Sequence, residues 1–247
     1  MDLRERGAIA ARHPWELARG AFFRELLEEH TSVADVRRML DVGAGDGWFA
    51  GELKSSLPPS AEVICWDVNY SGDDLAEPMP AGLSRVVEPP DGRFDLITVL
   101  DVIEHVVDDA AFLDDDVLPR LAPDGLLVVS VPAHQALFCA HDVALGHHRR
   151  YSRRQLDDLL GPRVETIARG GLFSTLLVPR LAAVGLERLG RQANADGVGA
   201  WDHGPRTTAA VTSVLRTDAV LGRRLSRRGV ELPTLSIWSI CRPLAGR

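Results

Sequence analysis

The stretch RRMLDVGAGDGWFAGEL, residues 37–53, places three glycines within five positions directly behind a short apolar run. Glycine weakens strands and forms helices poorly, so three of them here indicate a backbone that a ligand approaches closely. The apolar run predicts a strand over 36–42, and the residues behind the glycines predict a helix over 48–57. A strand, a glycine loop and a helix in this order are typical of ligand-binding α/β sheets.

Further strands are predicted along the rest of the chain. Continuous Val, Ile and Leu runs alternate with helical segments, which indicates parallel strands buried on both faces. Two later strands complete a seven-strand, mostly parallel sheet sandwiched by helices, and we expect one of these two to be antiparallel. The predicted strands after the first are 61–67, 84–87, 94–99, 126–131, 163–170 and 234–241.

The helical segments outside this pattern define the expected domains. Apolar spacing over 15–30 predicts a helix within an N-terminal cap, residues 1–35. Residues 36–170 and 233–247 form the expected sheet core, and residues 171–232 form a helical insertion. We expect this insertion to be a lid over the ligand edge and to offer a homodimer surface. Its apolar stretch 171–186 is interrupted by Pro179 and Arg180, so no stable membrane insertion is expected.

Composition restricts the classes of partner. The chain has 247 residues, 45% of them apolar and 26% charged, with a net charge of −7. Residues 1–125 carry 11 basic and 26 acidic side chains, which argues against a nucleic-acid surface, while residues 126–247 carry 17 and 9. The basic half leaves room for an anionic small-molecule substrate, although solvated arginines are the commoner explanation. Three scattered cysteines and an N-terminus without a signal-peptide core predict a cytoplasmic protein.

Two ligand classes use such a glycine loop, dinucleotides and S-adenosylmethionine (SAM). A dinucleotide site needs GxGxxG, whereas the spacing here is GxGxG and Trp48 stands where the third glycine belongs. Asp41 and Asp46 place negative charge where a pyrophosphate would lie, and the sulfonium and ammonium groups of SAM tolerate that charge. Asp67 ends the second strand, where a carboxylate can accept both ribose hydroxyls. The residues therefore favour SAM.

At this point the sequence resembles the class I SAM-dependent methyltransferases. This resemblance implies SAM as cofactor and methyl transfer to a small-molecule acceptor. Four motifs in the family's order carry it: LDVGAGDGWFA (40–50), WDVN (66–69), FDLITVLDVIEHV (94–106) and LAPDGLLVVSVP (121–132).

The resemblance implies cofactor contacts at eight positions. Asp41, Gly43 and Gly45, with the neighbouring loop residue Ala44, would line the methionine part of SAM. Asp67 would hold the ribose, and Val68 would pack on the adenine. Leu100 and Asp101 would lie beside the methionine carboxylate and the transferable methyl. An acidic residue that reads the adenine amino group in many relatives has no clear counterpart in the region 86–94.

The segment VPAHQALFCAHDVALGHHRRYSRRQL, residues 131–156, supplies the candidate catalytic residues. In one interpretation a histidine is the general base for a hydroxyl acceptor, with His141 or His147 preferred, His134 a further candidate and Asp142 orienting an imidazole. In a second, these four residues bind a divalent metal, but their spacings match no compact ligand motif, so no metal site is predicted.

A third interpretation of this segment is structural. Asp142 would pair with Arg149 or Arg150, and Tyr151 would anchor the following helix. The Glu-His pair at 104–105 matches a pair that is mostly architectural in many of the enzymes the chain resembles, so His105 is a weaker candidate base.

The resemblance of this segment points to a small-molecule branch linked to secondary metabolism or to sugar and envelope pathways. We expect an O-methyltransferase because of the histidines. A non-catalytic SAM-binding regulatory or scaffold protein and an N- or C-methyltransferase stay open as alternatives. The stretch RHPWELAR, residues 12–19, also resembles a first helix that closes over the cofactor, unless Trp15 only staples that helix to the core.

Overall fold

The computed structural model describes residues 12–190, 201 and 203–244. The expected cap, insertion and C-terminal core segment therefore extend partly outside the described residues, at 1–11, 191–200, 202 and 245–247.

A seven-stranded mixed sheet organises the described chain, as predicted. Its strand order is β3-β2-β1-β4-β5-β7-β6. Neighbours from β3 through β5 pair in parallel, and β7 is antiparallel to both β5 and β6. The strands are β1 (Arg38–Val42), β2 (Glu62–Trp66), β3 (Leu83–Val86), β4 (Phe94–Leu100), β5 (Leu121–Pro132), β6 (Val164–Leu172) and β7 (Ser236–Pro243).

Helices connect the strands and fill both faces. The Ser152 hydroxyl accepts a hydrogen bond from the Gln155 backbone N–H at 3.2 Å and so caps α6 (Arg153–Leu160). Within the described residues, no helix has both the length and the hydropathy that a bilayer crossing requires. The helices are α1 (Pro14–His30), α2 (Trp48–Lys54), α3 (Gly72–Ala76), α4 (Asp109–Phe112), α5 (Ala140–Leu145), α6 (Arg153–Leu160), α7 (Leu177–Arg188) and α8 (Pro205–Ser226).

The acidic segment 108–125 predicts a helix that stops near Pro123, but the helical segment ends earlier than that. After α4 the chain continues through a π-helical turn (Leu113–Val117) and a 3-10 turn (Leu118–Arg120). Strand β5 then begins at Leu121, which is 3% exposed and pairs with Phe94. The stop near Pro123 is instead an irregularity inside the strand, where the pairing register shifts. Burial of Leu121 against the sheet accounts for the earlier end of the helical segment.

The strands alternate their side chains between two apolar layers, as the period of two requires. Met39 of β1 and Leu96 of β4 face the layer that holds α1, α2 and α8. Their neighbours Leu40 and Ile97 face the other layer, which holds α6 and the turn after α4. Helices therefore cover both faces of the sheet, which leaves the ends of its strands accessible to a ligand.

The insertion leaves and rejoins the sheet at one edge. Strand β6 runs to Leu172, two residues past the expected boundary at 170. Both Leu172 and Pro132 of β5 pair with Ser236, the first residue of β7. The chain between β6 and β7 therefore begins and ends at the carboxyl edge of the parallel strands.

Helix α8 of the insertion lies alongside α1. Its Leu215 and Ala219 are buried in the same apolar layer as Phe22 of α1. Arg216 of α8 also forms an ion pair with Glu25 of α1 at 2.9 Å. The second helix of the insertion thus packs on one face of the core, while α7 lies nearer the carboxyl edge.

We predict that Phe23→Ala destabilises the whole fold. Phe23 of α1 is 0% exposed and its ring lies 6.5 Å from that of Phe49 of α2. Loss of a buried aromatic ring costs about 3–5 kcal/mol. Urea unfolding measures this cost, with Leu181→Ala as the control because Leu181 is 56% exposed. A cost below about 1 kcal/mol would mean that α1 is a detachable cap and not part of the core.

Candidate active site

The glycine loop follows the strand at which the sheet order reverses. Strand β1 is followed along the chain by β2 on one side, whereas β4 lies on its other side. Val42 near the end of β1 pairs with both Trp66 of β2 and Val99 of β4. Ligands of open α/β sheets bind at such a reversal, beyond the carboxyl ends of the strands.

Gly43 adopts a conformation that a side chain would not allow. Its φ is +63°, and a Cβ there would lie 2.6 Å from Cγ2 of Val102. Its N–H donates to the Trp66 carbonyl at 2.7 Å, which fixes the loop on β2. Gly43 itself is exposed, whereas Ala44 and Gly45 are buried. The loop therefore presents bare backbone to solvent at one point beside Val102.

Asp67 joins this loop to the end of β2. Its carboxylate is 8% exposed and accepts hydrogen bonds from the Gly45 N–H at 3.0 Å and the Asn69 N–H at 2.9 Å. The next residue, Val68, is 72% exposed. A fixed carboxylate and an unburied apolar side chain thus lie side by side at the carboxyl edge.

Asp41 is buried within β1 itself. It is 3% exposed, and its Oδ1 accepts a hydrogen bond from Thr98 Oγ1 at 2.5 Å. Burial raises the pKa of Asp41 to about 6, although the Thr98 hydrogen bond favours the ionised form.

Asp101 follows β4 with a strained backbone. Its φ is +59°, a conformation that residues other than glycine rarely adopt. The Asp101 N–H donates to the Ser130 carbonyl at 2.8 Å, and the Ser130 hydroxyl donates to Asp101 Oδ1 at 3.0 Å. Leu100, which precedes it, is 8% exposed. Strand β5 thus holds the Asp101 carboxylate at the edge, and such strain concentrates at functional sites.

Two arginines of the α1 region reach the same edge, and sequence reasoning missed both. Arg19 forms a short ion pair with Asp101, and its guanidinium lies 4.3 Å from the centre of the Trp15 ring. Arg12 pairs with Asp46 of the glycine loop at 2.6 Å. Arg19 lies within α1, whereas Arg12 precedes the extended N-cap residue His13, so no helical spacing in the sequence pointed to this pair. The first helix therefore brings positive charge to the acidic loops.

Asp142 is the centre of a second polar network. It is 0% exposed and accepts hydrogen bonds from Arg150 Nε and Arg180 Nη2, both at 2.7 Å, and from the Cys139 N–H at 3.0 Å. Its Oδ1 also lies 3.0 Å from Nδ1 of His147. Burial would raise the pKa of Asp142, but the hydrogen bonds from His147 and Arg150 outweigh it and hold that pKa well below its usual range.

The three candidate bases have different surroundings. His147 is largely buried against Asp142. His141 is half-buried, and burial together with the charge of Arg180 lowers its pKa. His134 is exposed, with a φ of +64°, and its N–H donates to the Tyr151 carbonyl at 3.0 Å. The structure thus brings Asp142 to His147, while His134 lies on the surface.

The structural interpretation of this segment is realised in part. Asp142 pairs with Arg150, and Arg149 instead pairs with Asp109 at 2.9 Å. The Tyr151 hydroxyl donates to Asp109 at 2.6 Å and so anchors the start of α6. These contacts hold the histidine segment, residues 131–156, on the loop that follows β4.

A different set of donors comes together beside His147. Among the described residues, the grouping of three or more His, Cys, Asp or Glu side chains at metal-binding separation is Glu104, His105 and His147. This group shares only His147 with the alternative metal-binding set suggested by the sequence. Asp142, a member of that set, instead accepts hydrogen bonds from Arg150 and Arg180. The rings of His105 and His147 meet edge to face, with centroids 4.6 Å apart.

Glu104 is unusual within this group. It is 0% exposed, and neither carboxylate oxygen has a hydrogen-bond partner in another residue that the structure describes. Burial and the negative charge of Asp101 raise the pKa of Glu104 well above its usual range, partly offset by its own backbone N–H. Its carbonyl accepts a hydrogen bond from the His148 N–H at 2.8 Å. From the sequence, this Glu-His pair was interpreted as mostly architectural.

A cavity of about 1090 Å³ lies between α1 and α8. Arg12 forms part of its wall, so it opens beside the glycine loop. Its lining includes none of the residues expected to contact the cofactor. The other lining residues include Leu17, Trp201, His203, Thr208, Thr212 and Arg216.

We predict that Asp41→Asn stabilises the fold at neutral pH. Because the pKa of Asp41 is raised to about 6, the folded chain keeps a proton between about pH 4 and 6 that the unfolded chain releases. The contribution of Asp41 to stability is therefore full at low pH and lost as pH rises through 6. At pH 7.5 the variant should exceed the parent by on the order of 3 kcal/mol, and at pH 4 the difference should largely vanish. Urea unfolding at both pH values measures this, and a difference independent of pH would contradict it.

Comparison with known proteins agrees with this architecture. A family model described as a methyltransferase domain matches residues 15–165. No curated protein matches the chain.

Solved structures resemble the chain in fold. A candidate sarcosine dimethylglycine methyltransferase from Galdieria sulphuraria has a TM-score of 0.57 at 13% identity, over 92% of this chain and 85% of that chain. The 4+2 cyclase SpnF has a TM-score of 0.55 at 18% identity, over 96% and 86%. Coclaurine N-methyltransferase, bound to N-methylheliamine and S-adenosylhomocysteine, has a TM-score of 0.53 at 13% identity, over 89% and 72%.

At these identities the solved structures show the fold alone, and the family model carries the identification. It covers more than half of the chain, including the glycine loop, Asp67 and the segment that follows β4. The chain therefore belongs to the methyltransferase-domain family and is an S-adenosylmethionine-dependent methyltransferase.

Proposed function

We propose that this enzyme transfers the methyl group of SAM to a hydroxyl oxygen of a small molecule. The observation that supports an oxygen acceptor is the hydrogen bond between Asp142 and His147 at the carboxyl edge. A hydroxyl must lose its proton as it attacks, and a carboxylate-held imidazole suits that task.

The residues at the glycine loop fit the cofactor's methionine end. The exposed backbone of Gly43 allows close approach, and we assign Ala44 and Gly45 to the same wall of the site. The buried carboxylate of Asp41 suits the cofactor's cationic groups, because a cation offsets the cost of burying a negative charge. When bound, SAM supplies a methyl group on a sulfonium sulfur, and its transfer to an oxygen breaks the carbon–sulfur bond, leaves the electron pair on sulfur and releases the hydroxyl proton.

The adjacent residues fit the nucleoside. We assign Asp67 to the ribose hydroxyls, because its carboxylate is held in place by the Gly45 and Asn69 N–H groups and can accept further hydrogen bonds. We assign Val68 to the adenine face, since its 72% exposed side chain gains burial there. Both side chains project from one short loop, so ribose and base are read together.

Arg19 and Asp101 would complete the methionine end. A guanidinium can offer two parallel N–H groups to a carboxylate, and here Nη1 of Arg19 pairs with Oδ2 of Asp101. We assign Arg19 to the cofactor's carboxylate, which frees Asp101 to face the cofactor's ammonium group, and Leu100 to the apolar wall beside the methyl. Helix α1 would then close over the bound cofactor with Trp15 as its anchor on the core.

His147 is the preferred base among the three candidates. Asp142 accepts the hydrogen bond of its Nδ1–H, which leaves Nε2 free to take a proton. His141, with its lowered pKa, is neutral at pH 7 and serves as the second candidate. His134 is exposed and supports this role least. Which nitrogen of His147 carries the proton follows from the Asp142 contact.

The insertion, residues 171–232, is proposed as the lid of this site. Arg180 of α7 binds Asp142 at 2.7 Å, Glu187 accepts a hydrogen bond from the Ala140 N–H at 2.9 Å, and Arg188 donates to the Ala136 carbonyl at 2.7 Å. Through these contacts α7 is docked on the histidine segment. We further propose a cytoplasmic biosynthetic role, with the insertion as the homodimer surface.

We predict that Asp67→Ala weakens SAM binding at least tenfold, about 1.4 kcal/mol, because the ribose loses its acceptor. Isothermal titration calorimetry with SAM measures this. Asp115→Ala is the matched control, because Asp115 is an exposed aspartate in the turn after α4. Unchanged affinity in Asp67→Ala would remove the ribose assignment.

We predict that His147→Ala lowers turnover about 100-fold or more while SAM still binds, and that His141→Ala lowers it less. Transfer of labelled methyl from SAM to a panel of phenols and sugar hydroxyls provides the readout. His148→Ala is the matched control, since His148 is an exposed neighbouring histidine. Full activity in both the His141 and His147 variants would rule out a histidine base.

A further inference from the structure

We propose that Glu104, His105 and His147 bind a divalent first-row transition metal, which in turn binds the acceptor hydroxyl. The sequence predicts no metal site, and the alternative metal-binding set considered there (His134, His141, Asp142 and His147) shares only His147 with this group. Glu104 and His105 follow β4, whereas His147 lies between α5 and α6. The fold brings them together across the end of β5.

The donor atoms are spaced for one ion. A carboxylate oxygen of Glu104 and one nitrogen of each imidazole all lie within 4.8 Å of one another. Ligands of a tetrahedral metal at about 2.0–2.1 Å lie roughly 3.4 Å apart. The largest separation exceeds this spacing by at most about 1.4 Å, a difference that movements shared among the three side chains would close.

The buried carboxylate of Glu104 gives the cluster a negative charge, which favours a bound cation. Both oxygens of Glu104 are buried without a partner in another described residue, and a buried, unpaired carboxylate is costly. The nearby guanidinium groups of Arg19 and Arg150 pair with Asp101 and Asp142 instead. A divalent ion between Glu104 and the two imidazoles would compensate that charge directly.

The surrounding contacts support ligation. Asp142 holds Nδ1 of His147 at 3.0 Å, which fixes the ring and leaves Nε2 as the ligand atom. Metal-binding histidines usually donate their other ring N–H to a carboxylate, a backbone carbonyl or water, and Asp142 is such a partner. The His148 N–H, bonded to the Glu104 carbonyl at 2.8 Å, ties the two ligand-bearing segments together.

The donor types select among metals. Two imidazole nitrogens and one carboxylate suit Mn²⁺, Fe²⁺ or Zn²⁺, whereas Mg²⁺ and Ca²⁺ prefer oxygen ligands alone. Three protein ligands leave coordination positions open for water or substrate, as in catalytic metal sites.

The catalytic role of this metal rests on the proposed function, but metal binding does not. A hydroxyl oxygen coordinated to the ion has a lowered pKa, so its proton passes to solvent before the oxygen bonds the methyl carbon. With the ion bound, Nε2 of His147 is a ligand, so the metal takes the place of the histidine base proposed above: it lowers the pKa of the acceptor hydroxyl, which His147 would otherwise deprotonate. Leu100, assigned to the wall beside the methyl, ends β4 four residues before Glu104, which places the ion near the methyl-transfer end of the site.

Calorimetric titration of metal-stripped, untagged protein with MnCl₂ or ZnCl₂, in the absence of SAM, tests the proposal. We expect one ion per chain in the parent and at least tenfold weaker binding in Glu104→Gln and His147→Ala. His148→Ala, which removes a neighbouring exposed imidazole, should bind as the parent does. Titration with CoCl₂ should give visible absorption bands of a low-symmetry site, absent in Glu104→Gln.

Folding of the variants is tested by thermal unfolding without metal. Glu104→Gln removes an unpaired buried charge, so we expect it to be at least as stable as the parent. Absence of binding in the parent, or equal binding in the parent and both ligand variants, overturns the proposal. SAM titration of the same metal-free protein distinguishes failure of the proposed function from failure of the metal proposal. Absence of SAM binding would count against the proposed function and would leave the metal proposal unaffected.

Discussion

Four carboxylates are gathered at the carboxyl edge of three neighbouring parallel strands, and the site depends on what balances their charge. Asp41 lies near the end of β1, Asp67 follows β2, and Asp101 and Glu104 follow β4. Asp41, Asp67 and Glu104 are less than 9% exposed. Holding negative charge there is costly unless cations or hydrogen-bond donors face it.

The chain supplies those partners unevenly. Asp67 is held by backbone N–H groups, and Asp101 by Ser130 and Arg19. Asp41 has the Thr98 hydroxyl, and Glu104 has no partner in another described residue. The two least compensated carboxylates therefore mark where a cationic cofactor and a metal ion would add most binding energy. Arg19 of α1 and Arg12 just before this helix cover the edge, and they would exchange their contacts when the cofactor enters.

Much of this architecture could be predicted from local sequence. Continuous apolar runs identified the central strands β2, β4 and β5, because strands buried on both faces need them. The glycine spacing located the loop, since Gly43 meets Val102 too closely for any side chain. The helix predicted over 108–125 was too long. Pro123 and Gly125 are typical of a turn, but Leu121 already belongs to strand β5.

The contacts between distant segments could not be predicted in this way. Arg19 reaches Asp101 across 82 residues, and Glu104 lies beside His147 although 43 residues separate them. Such pairs depend on how α1 and the segment after β5 fold back over the sheet edge. The histidine cluster was recognised, but which acid holds it and which donors share a site emerge only in three dimensions.

A crystal structure with S-adenosylhomocysteine is the most direct test of the central claim that this edge holds the cofactor. We expect the homocysteine along residues 43–45, the ribose on Asp67, the adenine against Val68, and Arg19 turned from Asp101 to the ligand's carboxylate. Ligand bound elsewhere, for example in the cavity between α1 and α8 with Arg19 still on Asp101, would contradict it.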